Sequence, residues 1–170
     1  MAAQADVRST ALETLLLRER VESFVFQEAR LLDERAFTAW LALFASDATY
    51  WIPCGHDATD PMQEVSIVYD RQPQMRERVW RLESGLAYAQ EPSSRTAHLL
   101  GNVEIALEDD GGVTARSSFL MTEFRRERQL VHAGRCLHRL QSTEDGFLIV
   151  LKKVDLINND GHLGNLSVLL

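Results

Sequence analysis

The run from Glu28 to Pro53, EARLLDERAFTAWLALFASDATYWIP, decides the fold. It reads as the end of one amphipathic helix, a tight break, a second short helix and then a strand carrying adjacent aromatics. Phe37, Trp40, Leu41 and Phe44 fall at helical spacing, so a helix here presents one apolar stripe that must be buried. Asp33 and Asp47 stand where element boundaries are expected, because a short carboxylate can accept from the free N–H groups of a new first turn. The aromatics that follow have to meet a sheet.

Upstream, residues 1–9 carry no pattern and are expected as an arm, frayed or draped over a neighbour. A helix can start at Ser9 or Thr10. From there Leu12, Leu16, Val21, Phe24, Val25, Leu31 and Leu32 recur close to helical period, with Arg18, Glu19, Arg20, Glu22 and Arg30 supplying a solvated face. Glu28 falls near the apolar stripe and reads as a stem that reaches the rim of the core with its carboxylate in water. Downstream, residues 48–53 have strand character, with Tyr50 and Trp51 on opposite faces and Pro53 ending the strand or marking an edge. Residues 54–61, CGHDATDP, read as a loop that is mobile or lies on another chain, and residues 65–69 as a second short strand.

Helical spacing returns over residues 72–90 through Met75, Val79, Leu82 and Leu86, with Pro73 at the start, where a missing N–H costs nothing. After Glu91-Pro92-Ser93-Ser94 come four stretches of strand character, 95–108, 113–126, 129–142 and 147–158, joined by short turns and therefore antiparallel. Alternation in the second of these, from Val113 to Thr122, makes one face more polar, so the sheet is expected to curl around the helices. The prediction is a single α+β domain spanning 1–170, with N-terminal helices packed in the concave face of a strongly curved, mostly antiparallel sheet. The mouth of such a cone can hold a ligand. The tail, residues 161–170, is markedly apolar and is expected to be buried along the sheet or in a neighbouring subunit.

With 170 residues the chain has the size of one ordinary domain and should bury about 70% of the surface of its unfolded form. Eighteen Lys and Arg against twenty-five Asp and Glu give a net charge of −7, which disfavours attraction to phosphate backbones and argues against nucleic acid as a partner. No apolar run approaches the about 18 residues that cross a bilayer, and the N-terminus lacks a signal-peptide pattern, so a cytoplasmic protein is expected. Two cysteines, Cys54 and Cys136, are read as buried thiols rather than a disulfide.

Two Cys-x-His steps, Cys54-Gly55-His56 and Cys136-Leu137-His138, invite a metal reading. A Rieske centre, however, needs two intervening residues in its second half, and Cys136 with His138 on one strand face is more simply core. His132 and His138, six apart, could be drawn with Asp155 as an iron facial triad, but nothing in the spacing demands it. No metal is expected. His98 is a different case, since it opens a strand after a loop and so sits at the mouth of the cone, where Asp47 could orient it as a general base. A catalytic His98–Asp47 dyad is set against a structural hydrogen bond from the same histidine. The chain has no phosphate-binding glycine loop and no Gly-x-Ser-x-Gly.

Ala29-Arg30-Leu31-Leu32-Asp33-Glu34-Arg35-x-Phe37-x-x-Trp40-Leu41-x-Leu43-Phe44, followed by Asp47-Ala48-x-Tyr50-Trp51-x-Pro53, resembles the N-terminal signature of the small (β) subunit of bacterial aromatic-ring-hydroxylating dioxygenases. Arg78-Val79-x-Arg81-Leu82, Glu91-Pro92-Ser93-Ser94-Arg95-Thr96-x-His98-Leu99 and Asn102-Val103 are similar to that family's central segment. Leu156-Ile157-Asn158-x-Asp160 and Asn165-Leu166-Ser167-Val168-Leu169-Leu170 look like its closing strand and tail. The resemblance implies the SnoaL-like, nuclear-transport-factor-two-like or cystatin-like cone. It also implies a partner: an α subunit that carries the Rieske iron–sulfur cluster and a mononuclear iron, over a base of β subunits arranged as a trimer. The implied reaction adds both atoms of O₂ to an aromatic ring to give a cis-dihydrodiol, with electrons from NAD(P)H through a reductase. On that reading no cofactor and no catalytic residue belong to this chain. The alternative is a stand-alone cone enzyme, a dehydratase, isomerase or hydroxylase, using His98 with Asp47.

Overall fold

The structure is a computed structural model and describes residues 2–55, 58–84, 91–161, 163 and 166–170, with the backbone alone over residues 2–10. Helix α1 spans Ala2–Asp33, so the stretch expected as a patternless arm continues the helix almost to its beginning. Its inward face carries Val21, Phe24, Val25, Glu28, Ala29 and Leu32, spaced by three and four as an amphipathic helix requires. The break after it has a specific geometry. Arg35 takes the left-handed conformation (φ 57°), the N–H of Ala36 donates to the Leu31 carbonyl and that of Arg35 to the Leu32 carbonyl, which is a Schellman ending with arginine where glycine is usual.

The short helix α2, Phe37–Leu41, turns Phe37 and Trp40 into the core. Asp33 is thus not an N-cap: it closes α1, and α2 begins from Ala36 without a side-chain cap. Strand β1 runs Phe44–Pro53 and takes in Phe44, which the spacing assigns to the helical stripe, and Asp47, which it assigns to an element boundary. The Trp40 ring meets Phe44 and Tyr50 edge-on, with centroids 4.6 and 5.9 Å away. Strand β2, Ser66–Arg71, pairs with β1 as a hairpin and feeds helix α3, Gln72–Glu83, which has proline in its first turn and buries Met75 and Val79. The remainder of the helix expected up to Gln90 lies outside the described residues.

Strands β3 (Arg95–Leu107), β4 (Val113–Arg125), β5 (Arg128–Thr143) and β6 (Gly146–Leu156) form the antiparallel meander that the short turns require. The sheet order is β2-β1-β6-β5-β4-β3, and β1 joins the meander through a parallel pairing with β6. Odd residues of β4, Val113 to Glu123, face inward and carry the core, as alternation predicts. The sheet curves and does not close, and the helices fill its concave side. The tail returns to this core: Leu169 and Leu170 are buried, and the Leu170 N–H donates to the Tyr50 hydroxyl at 3.1 Å.

Candidate functional site

Inside the cone lies a charged cluster. Glu28 is 2% exposed, which overturns its reading as a solvated stem. Its Oε1 accepts from Trp40 Nε1 at 2.6 Å and from Lys152 Nζ at 2.5 Å, and His138 Nε2 stands 3.6 Å from its Oε2. Burial would push the Glu28 carboxyl up, but Lys152 and His138 offset it, and the acid is held well below the usual carboxylate range. The cluster is a compensated ion pair in an apolar shell. Beside it burial raises the Tyr50 phenol and pushes the Cys136 thiol up to about 12, so neither is an activated nucleophile.

A second constellation ties α1 to β3. Asp33 Oδ1 lies 2.6 Å from His98 Nδ1 and accepts from Thr96 Oγ1 at 2.9 Å, while Oδ2 accepts from the His98 backbone N–H at 2.9 Å. Burial lowers the pKa of His98 and Asp33 only partly opposes this, which favours the neutral imidazole in the folded chain. The carboxylate partner of His98 is therefore Asp33. Asp47 is exposed, and its backbone carbonyl accepts from Arg71 at the opposite edge of the sheet, so the His98–Asp47 dyad is replaced by a His98–Asp33 pair. Among the described residues no substrate-sized chamber opens here: the adjoining cavity, lined by Leu32, Arg35, Phe37, Thr96 and Leu169 among others, holds about 20 Å³, room for one water molecule.

A third cluster pins the segment before β3. Ser94 Oγ donates to buried Glu123 Oε1 at 2.5 Å, and His132 Nε2 is 3.5 Å from Glu123 Oε2. The hydroxyl faces the carboxylate and not the imidazole, so this is no nucleophile–base arrangement. The metal readings find no common centre either. His138 faces Glu28, His132 faces Glu123, and Asp155 faces Lys153 at 3.0 Å. Cys54 is exposed rather than buried, Cys136 is buried, and His56 lies outside the described residues. Among the described residues no three His, Cys, Asp or Glu side chains are placed to hold a metal ion. Nor is any helix there long and apolar enough to cross a membrane.

A curved open sheet wrapped around N-terminal helices defines the class, an α+β cone of the nuclear-transport-factor-two kind. A protein described as a putative scytalone dehydratase from Novosphingobium aromaticivorans shares it, with a TM-score of 0.67 at 14% identity over 89% of this chain and 91% of that one, which is a likeness of fold alone. Residues 27–160 match the model of the ring hydroxylating beta subunit family, and the chain belongs to that family. It is 35% identical to the small subunit of 2-halobenzoate 1,2-dioxygenase from Burkholderia cepacia, over 90% of this chain and 94% of that relative. The crystal structure of the beta subunit of benzoate 1,2-dioxygenase from Burkholderia mallei superposes with a TM-score of 0.72 at 28% identity, covering 88% of this chain and 95% of that one. The chain is the β subunit of an aromatic-ring dioxygenase, a structural part of an oxidoreductase complex.

Proposed function

We propose that this chain is a non-catalytic scaffold that seats a larger α subunit, and that the α subunit carries the Rieske cluster and the mononuclear iron. The β subunits associate as a trimer beneath three α subunits, electrons arrive from NAD(P)H through a reductase, and the complex inserts O₂ into an aromatic ring to give a cis-dihydrodiol. Membership of the β family supports this, as do the buried acids Glu28 and Glu123, whose oxygens already accept from Trp40, Lys152 and Ser94. The observation that carries the scaffold reading lies on the other side of the sheet. Leu99 and Leu120 are paired across β3 and β4, Val131 on β5 is paired with Thr122 on the same outer face, and all three point away from the core, Leu99 with 69% and Val131 with 58% of its surface exposed. Large apolar side chains exposed together on an outer face mark a protein interface, and the interfaces of permanent complexes commonly exceed about 2,000 Å².

Co-expression with the α chain tests it. A larger iron-containing chain should co-purify, recognised by mass and by the visible absorption of its cluster, and the pair should form a dihydrodiol. The chain alone should form trimers or aggregate. A well-behaved monomer that turns over a substrate without any partner would overturn the proposal.

A further inference from the structure

We infer that the interior of the cone is a small-molecule site whose resident is the chain's own segment Val168–Leu170. The segment behaves as a bound ligand would. It enters over the cavity between the end of α1, α2 and β3, where Val168 and Leu169 line the remaining space of about 20 Å³. It then buries Leu169 and Leu170 to 4% and 2% exposure within the core. Among the described residues its polar contact with the wall is the Tyr50 hydroxyl, which accepts from the Leu170 N–H at 3.1 Å and reaches the Leu170 carbonyl at 3.5 Å. Three neighbours of this wall are tied to one another without the tail. Trp40 packs edge-on against the Tyr50 ring, Lys152 Nζ lies 5.9 Å from the ring centroid, and Trp40 and Lys152 are both held by Glu28.

Walls that are mostly apolar and carry one oriented hydroxyl are the usual build of a small-molecule site, and here the tail fills the space between them. The space of two leucine side chains suits a single ring, since an apolar cavity of about 150 Å³ takes up benzene. The ligand class follows from Tyr50: a benzene-sized ring bearing one hydroxyl, which can either donate to the phenol oxygen, as the Leu170 N–H does, or accept from its hydrogen, as the Leu170 carbonyl does. Access requires the tail to withdraw, so the full chain binds more weakly than a chain without it by the fraction of molecules whose tail is out.

The test uses phenol, with toluene as the ring without a hydroxyl. A chain shortened after Asn165 should keep its circular dichroism and bind one phenol, read by calorimetry and by a rise in Tm with phenol concentration. The full chain should bind at least about tenfold more weakly. Adding Tyr50→Phe to the shortened chain should weaken phenol by about three- to tenfold, the value of one hydrogen bond, and leave toluene unchanged. If the shortened chain does not fold, the full-length Leu169→Ala, Leu170→Ala variant opens the same space and is measured in the same way. A folded variant of either kind whose Tm and calorimetric trace ignore both compounds overturns the inference, as does phenol binding that Tyr50→Phe leaves untouched.

Discussion

Glu28 and Lys152, 124 positions apart, meet inside the core of the cone with Nζ 2.5 Å from Oε1, and each is 2% exposed. The pair joins the long helix to the last strand. Removing one member strands the other charge in an apolar shell, and such losses run to about 3–5 kcal/mol. Lys152→Met should therefore lower the denaturant midpoint severely, while Lys152→Met combined with Glu28→Gln should recover a large part of the loss. Equal midpoints for the single and double variants would show that the charges do not act as a pair.

The same pair sets a response to acid. With Glu28 held below the usual carboxylate range, the unfolded chain takes up its proton first, near the ordinary value of 4.5. The stability this group contributes is therefore complete above that pH and is lost as pH falls through the folded value. Denaturation of the parent and of Glu28→Gln across about pH 3 to 7 should show a constant gap at the upper end that narrows in acid.

His98 works in a higher window. Its folded pKa lies below the ordinary 6.5, so the unfolded chain again binds the proton first, and the stability of the neutral buried ring is present above 6.5 and shrinks below it. His98→Ala should be destabilised more at about pH 7.5 than at about pH 5. In the assembled dioxygenase the same variant should leave product formed per iron unchanged, because on the proposed function the reaction belongs to the α subunit and the ring serves only to bond Asp33. Loss of turnover with assembly intact would restore the cone-enzyme reading.

Gly134 on β5 faces Phe119 across the ladder, and a Cβ there would fall on the Asp155 carbonyl oxygen and 2.9 Å from Phe119 Cε1. One obstacle is backbone and cannot swing aside. Gly134→Ala should cost about 1–3 kcal/mol, read as a fall in Tm, whereas Gly101→Ala, which meets nothing within 4 Å, should be nearly silent.

Local signals carried most of the architecture. The Phe37–Trp40 spacing, the turn sequences between β3 and β6 and the apolar tail all rest on near neighbours, and the elements stand where those signals put them. The interior chemistry rests on distant neighbours. Strict alternation from Phe147 and Ile149 through Leu151 would place Lys152 on the outer face, but Arg139 pairs with Leu151 and Leu140 with Ile149, so Val150 is an extra residue that reverses the alternation. That bulge delivers Lys152 to Glu28, and without it the acid reads as a surface group. Asp33 reads as a cap because caps are local, whereas its partners Thr96 and His98 lie on a strand more than sixty residues away. The parallel pairing of β1 with β6 was equally beyond reach, since no turn connects the two strands.

That pairing bears on how the polypeptide is made. The hairpin of β1 and β2 leaves the ribosome early, yet its inner edge is completed by β6, the last strand to emerge. Contacts of such long sequence separation form slowly. Through most of translation the edge beside Tyr50 and Trp51 stands open, a site that a nascent-chain chaperone would have to shield until β6 arrives.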